Sequence, residues 1–196
     1  MKKKHSINNF ISGFTLTELL ITVSIFLLIT GVVYSGFLLS QRAYIGGERS
    51  AEISQNGRVI VERITREIRQ AKEIATELSE EEPQDQVSPA DGIIFEDGHI
   101  STSSYSYIHY FKENDFLKRE IIAYYFSGNP GAYVPWNAIP PEGQTLETEN
   151  LESPRTVGEY VTGLKFWGTK LISISFILEK NQKAVKLETK IFGRNL

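Results

Sequence analysis

The spacing of apolar positions changes character twice along the chain. From Leu19 to Leu39 (LLITVSIFLLITGVVYSGFLL) no residue carries a charge. A helix over this run spans roughly 32 Å, enough for a hydrocarbon core of about 30 Å, so the pattern predicts a membrane-spanning helix. A cleavable secretory signal has a shorter apolar region followed by a small-x-small site. The segment that follows here, SQRAYIGGERSAE, offers no such site.

Residues 41–78 are charged and periodic. Ile53, Ile60, Ile64, Ile68, Ala71, Ile74, Ala75 and Leu78 fall on one stripe of an amphipathic helix. Glu62–Arg66, Arg63–Glu67 and Arg69–Glu73 stand at i,i+4 on the other faces, the arrangement of an ion-paired solvent surface. Gly46-Gly47 is the weak point, since glycine costs about 1 kcal/mol in a helix interior. Otherwise the pattern predicts one helix from Phe14 to about Leu78.

The acidic, turn-rich SEEEPQDQVSPADG ends that helix, and beyond it the period becomes two. SYSYIHYF (104–111) and EIIAYYF (120–126) read as a hairpin. YVTGLKFWG (160–168), LISISFIL (171–178) and AVKLETKIF (184–192) read as further strands. Residues 127–157, with five prolines at 130, 135, 140, 141 and 154, read as an irregular loop. The strands alternate as half-buried antiparallel strands do. The fold class is therefore α+β, with the stripe from Ile53 to Leu78 laid on the apolar face of an antiparallel sheet.

Charge adds direction. Lys2, Lys3 and Lys4 precede the apolar run with no acid among the first 13 residues, which places the N-terminus in the cytoplasm. The formal charge of −3 carries no nucleic-acid signature, and losing the three lysines would take it to −6. No cysteine is present, which excludes disulfides, thiolate catalysis and Cys-based zinc sites.

One charge interrupts this picture. Glu18 stands one turn into the apolar run, in GFTLTELLITVSIFLL, where a carboxylate is costly unless it stays near the surface or finds a partner. Ahead of it lie a Lys-rich leader ending in Gly13, then Phe14, then hydroxyl and apolar residues.

Together these features resemble the class III signal of type IV pilins and pseudopilins. The resemblance implies cleavage after Gly13 by a membrane-embedded prepilin peptidase and N-methylation of the new N-terminal Phe14. It also implies pairing of Glu18 with the Phe14 amine of a neighbouring subunit. That amine has a reference pKa of about 7.7–8.0 and is mostly cationic at neutral pH. The implied partners are the peptidase/N-methyltransferase, other pilin or pseudopilin subunits and a cytoplasmic-membrane assembly platform. The implied organisation is a cleaved basic leader (1–13), a transmembrane assembly helix (14–39), its amphipathic continuation (40–78) and an exported β-rich domain (79–196). More narrowly, SQRAY (40–44), QNGRVIVERITREIRQA (55–71), VTGLKFW (161–167) and the ending IFGRNL are similar to PilW-type minor pilins and J-type pseudopilins.

The expected function is thus a minor pilin-like subunit of a pilus or pilus-like fibre, with a type II secretion or competence pseudopilin as the alternative. An uncleaved, single-pass binding or sensor protein is the alternative of another class. Other candidate sites are weaker. His99 and His109 lack a third ligand at metal-site spacing, so no metal or other cofactor is expected. Tyr105, Tyr107, Tyr110, Phe111, Tyr124, Tyr125 and Phe126 read as sheet packing rather than a stacking surface. Arg58, Arg63, Arg66 and Arg69 read as an ion-paired face, and no catalytic constellation is present, so an enzyme is not expected.

Overall fold

A computed structural model describes residues 13–98 and 105–193. The chain divides into two compact units at the Glu48–Arg49 junction. Helix α1, Leu16–Gln70, begins in the first unit and ends in the second, and Gly46-Gly47 do not interrupt it.

In the first unit, the side chains of 19–39 are exposed apart from the half-buried Leu38. The helix is apolar on every side, and by length and composition it can cross a membrane. Its hydroxyls are satisfied internally: Thr22, Ser24, Thr30 and Ser35 each donate to the carbonyl four residues earlier, at 2.7–2.8 Å. A helix that spends its hydroxyls in this way carries few unmet polar groups into lipid.

Among the described residues of the second unit, nine strands form two sheets. They are β1 (Val87–Ser88), β2 (Ile93–Glu96), β3 (Tyr107–Glu113), β4 (Phe116–Phe126) and β5 (Tyr133–Val134). Then follow β6 (Leu146–Glu159), β7 (Val161–Trp167), β8 (Leu171–Lys180) and β9 (Lys183–Phe192). Sheet A runs β2-β3-β4-β5 with β6 on the opposite side of β4. Sheet B runs β1-β7-β8-β9, antiparallel except for the short parallel pair β1/β7. The architecture is α+β, a long N-terminal helix packed on antiparallel sheet.

The predicted stripe forms the centre of the core. Ile53, Ile60, Ile64, Ile68 and Ala71 are fully buried against Ile93, Phe95 and Tyr110 of sheet A and Ile172, Ile174, Phe176 and Leu178 of sheet B. Each fully buried Ile or Leu side chain contributes about 1.5–3 kcal/mol of transfer free energy. Gly57 allows this close packing, since a Cβ there would meet the Leu187 side chain.

Two expectations are corrected. The helix stops at Gln70, not near Leu78 at the end of the predicted 40–78 continuation. Residues 71–76 instead run beside β2: Lys72 and Ala75 amides donate to the carbonyls of Glu96 and Ile94, and Ile74 bridges Phe95. Ile74 and Leu78 still pack on the core, which is why the period continues past the helix end. The predicted loop 127–157 contains β5 and most of β6, the longest strand.

Candidate processing and assembly segment

The helix start explains Glu18 locally. Thr15 takes the N-cap position, and its carbonyl accepts the first helical bond from the Leu19 amide at 3.2 Å. The Glu18 amide donates to Thr15 Oγ1 at 3.3 Å, and Glu18 Oε2 accepts from the Thr15 amide at 3.0 Å. Thr15 Oγ1 also donates to Oε2 at 3.1 Å. These reciprocal bonds form a capping box, T-x-x-E, which satisfies helix-start donors that would otherwise lack partners. The signal lies in the sequence as Thr15-Leu16-Thr17-Glu18 and was masked by the apolar context. A carboxylate in the first helical turn also complements the helix dipole.

The residues ahead of the cap are open. Phe14 is 86% exposed, and nothing lies within 4 Å of where a Gly13 Cβ would stand. Gly13, Phe14 and Glu18 therefore lie together at the exposed start of α1, with the Leu19–Leu39 apolar surface directly behind them. Only one Glu18 oxygen, Oε2, is taken by the cap. Among the described residues Oε1 has no partner and can accept a further donor. The basic leader, residues 1–12, lies outside the described residues.

Among the other candidates, His109 and several aromatics are held in side-chain contacts. His99 lies outside the described residues. His109 Nδ1 lies 2.8 Å from Glu120 Oε1, and its Nε2 lies 2.5 Å from the Asp91 carbonyl oxygen. Both ring nitrogens thus have a hydrogen-bond partner. Among the described residues no group of three or more His, Cys, Asp or Glu is placed to hold a metal ion. Tyr107 meets Tyr124 edge-on at 5.1 Å, and Phe95 stacks on Tyr110 at 6.2 Å. Burial pushes the Tyr107 phenol up to about 12 and raises Tyr110 further, where the Glu67 carboxylate adds to it.

The ion-paired face expected on α1 is only partly formed. Arg63 pairs with Glu67 at 3.4 Å. Glu62–Arg66 and Arg69–Glu73 do not close among the described residues. Glu73 instead accepts from Trp136 Nε1 at 2.6 Å, because it has left the helix. Elsewhere Lys180 Nζ donates to Glu52 Oε1 at 2.6 Å and lies over the Tyr160 ring. That bond holds the Glu52 carboxyl below its ordinary value and raises Lys180.

Comparison with known families adds one finding. Residues 9–34 match the prokaryotic N-terminal methylation motif, a segment that includes Gly13, Phe14, Glu18 and most of the apolar run. No curated protein and no solved structure matches the chain.

Proposed function

From an N-terminal methylation motif over residues 9–34, which supports the type IV pilin and pseudopilin superfamily, we propose a minor pilin-like fibre subunit. It is made as a membrane prepilin with its leader in the cytoplasm, cut after Gly13 by prepilin peptidase, and methylated on Phe14. It then enters a pilus or pilus-like fibre through the apolar part of α1, which displays the β-rich domain. In this reading the chain is a structural component and a substrate of the processing enzyme, with no reaction of its own.

The observation that carries the reading is the junction at the helix start. An open Gly13-Phe14 bond stands ahead of a single acid, Glu18, at the start of the uncharged Leu19–Leu39 part of α1. An apolar surface of this kind is suited to lipid before assembly and to the helices of neighbouring subunits after it. Cleavage creates a cation at Phe14, and a free Glu18 oxygen gives a neighbour's cation a partner. Two charges that are each costly in an apolar bundle then offset one another.

Mass spectrometry of the mature N-terminus in assembled material tests the reading. The expected species begins with methyl-Phe14. A Met1 or Lys2 start in that material rejects it in favour of an uncleaved membrane-anchored protein.

A further inference from the structure

Resting on the fibre-subunit reading, we propose that the arginine-lined groove beside α1 is a docking site for the acidic loop, residues 77–85, of a second copy of this chain.

The groove runs between the outer face of α1 and the β9 edge, with a volume of about 470 Å³. Arg58, Val61, Thr65, Arg66, Arg69 and Thr189 line it, with Glu62 as the one acid. Arg58, Arg66 and Arg69 are exposed and have no ion-pair or hydrogen-bond partner among the described residues. The Thr65 hydroxyl oxygen is buried without a partner. Three guanidiniums around an apolar floor present forked donors that fit carboxylates in pairs.

The complementary surface is on the same chain. Glu77, Glu80, Glu81 and Asp85 are exposed and unpaired among the described residues, while Glu82 is held by Lys165 and Lys186. The loop is fixed at three points: the Gly168 amide donates to the Ser79 carbonyl, Lys165 Nζ to Pro83, and the Leu164 amide to Gln86. It is therefore a positioned acidic ridge, with less ordering entropy to lose on docking than a free tail.

Placement decides between self-pairing and pairing with a neighbour. The loop crosses the face of sheet B that carries Lys165 and the buried Ser173 and Ser175. Helix α1 packs on the other face, against Ile172, Ile174, Phe176 and Leu178. The sheet separates ridge from groove, so the two cannot meet within one molecule. Docking one copy's ridge into the next copy's groove leaves a free groove and a free ridge at the ends. Such a heterologous contact joins copies head to tail, into an open filament unless its rotation closes a ring. The net charge of −3 disfavours a polyanion such as nucleic acid as the occupant.

The absence of native cysteine makes the test specific. Full-length Arg66→Cys and Glu81→Cys chains, co-expressed in membranes and oxidised, should give a mixed disulfide dimer. Adding Arg58→Glu and Arg69→Glu to the first chain should lower its yield roughly tenfold, the scale expected for losing exposed ion pairs that act together. Adding Glu77→Lys and Glu80→Lys to the second chain of that pair should restore the yield. A yield insensitive to the charge reversals, no rescue, or cross-linking to another protein in place of this chain overturns the proposal. The N-terminus of the same material is read in parallel. Methyl-Phe14 without the cross-link defeats the groove alone, while an uncleaved N-terminus defeats the subunit reading.

Discussion

Glu67 on α1 accepts a hydrogen bond from Arg119 Nε on β4 at 3.0 Å, and both side chains are nearly buried. The same Oε2 accepts from Tyr110 Oη at 2.8 Å, and Arg119 continues to Glu152 on β6 at 3.0 Å. One carboxylate thus ties the helix to three strands of sheet A. Replacing it by leucine strands the Tyr110 hydroxyl and half of the Arg119 guanidinium. Glu67→Leu should cost about 2–4 kcal/mol in denaturant unfolding, because removing one member of a buried pair leaves the other unmet. Adding Tyr110→Phe should cost less than the sum of the two single changes. Strict additivity would show that the two residues do not act through one another.

Two phenols should record their burial at alkaline pH. In the unfolded chain a tyrosine titrates at about 10. Burial, partly offset by the Trp136 amide bond, pushes Tyr107 up to about 12. Burial and the adjacent Glu67 carboxylate raise Tyr110 more. Between these values the unfolded chain releases protons that the folded chain keeps, so stability falls as pH rises. This contribution is complete below about pH 10 and declines from there toward 12. Tyrosinate absorbance should show a fraction of the nine tyrosines that ionises only with global unfolding. Ionisation of all nine near 10 in the folded protein would contradict the packing described here.

The stripe from Ile53 to Ala71 was legible because burial against two sheets imposes a helical period that residue spacing records directly. The end of α1 was not. Ile74 and Leu78 remain on the core after the chain turns extended, so the apolar spacing outlasts the helix. Strand β6 was hidden for a different reason. Its exposed Glu147 and Glu149 alternate with the exposed polar Thr148 and Asn150 on an edge strand, so no apolar face marks it. Pro154 lies between its register pairs Arg119↔Arg155 and Ile121↔Glu152, at an irregularity where a missing donor is tolerated. The methylation motif was legible from Gly13, Phe14 and Glu18, but the Thr15–Glu18 cap was overshadowed. The arginine face was misread because i,i+4 spacing permits ion pairs without requiring them.

Trp136 anchors the long connection between β4 and β6. Its indole donates to Glu73 at 2.6 Å, and its backbone amide donates to the Tyr107 hydroxyl at 3.1 Å. Glu73→Ala removes the acceptor for a half-buried indole N–H, a loss of about 1–3 kcal/mol felt mainly by this loop. Trp136 fluorescence should shift to the red, and limited proteolysis should cut within 127–145 faster than in the parent. Unchanged cleavage would mean that Tyr107 and β5 hold the loop without the indole.

Glu18 has two separable tasks on the proposed reading, and three substitutions divide them. Thr15→Ala removes the N-cap side chain while keeping the acid, at a cost of about 0.5–2 kcal/mol to the helix start. Glu18→Gln keeps a side chain that can complete the capping box but removes the charge. Glu18→Ala removes both. Helix insertion depends on the apolar run behind the cap, so all three chains should remain in the membrane. If the carboxylate meets a neighbour's Phe14 amine, incorporation into the fibre should fall for Glu18→Gln and Glu18→Ala alike and stay near normal for Thr15→Ala. Normal incorporation of Glu18→Gln with loss in Thr15→Ala would assign the residue to capping alone. The comparison is read from the amount of each variant in sheared fibre relative to membrane. An N-terminal mass spectrum of each confirms that leader cleavage itself is unchanged.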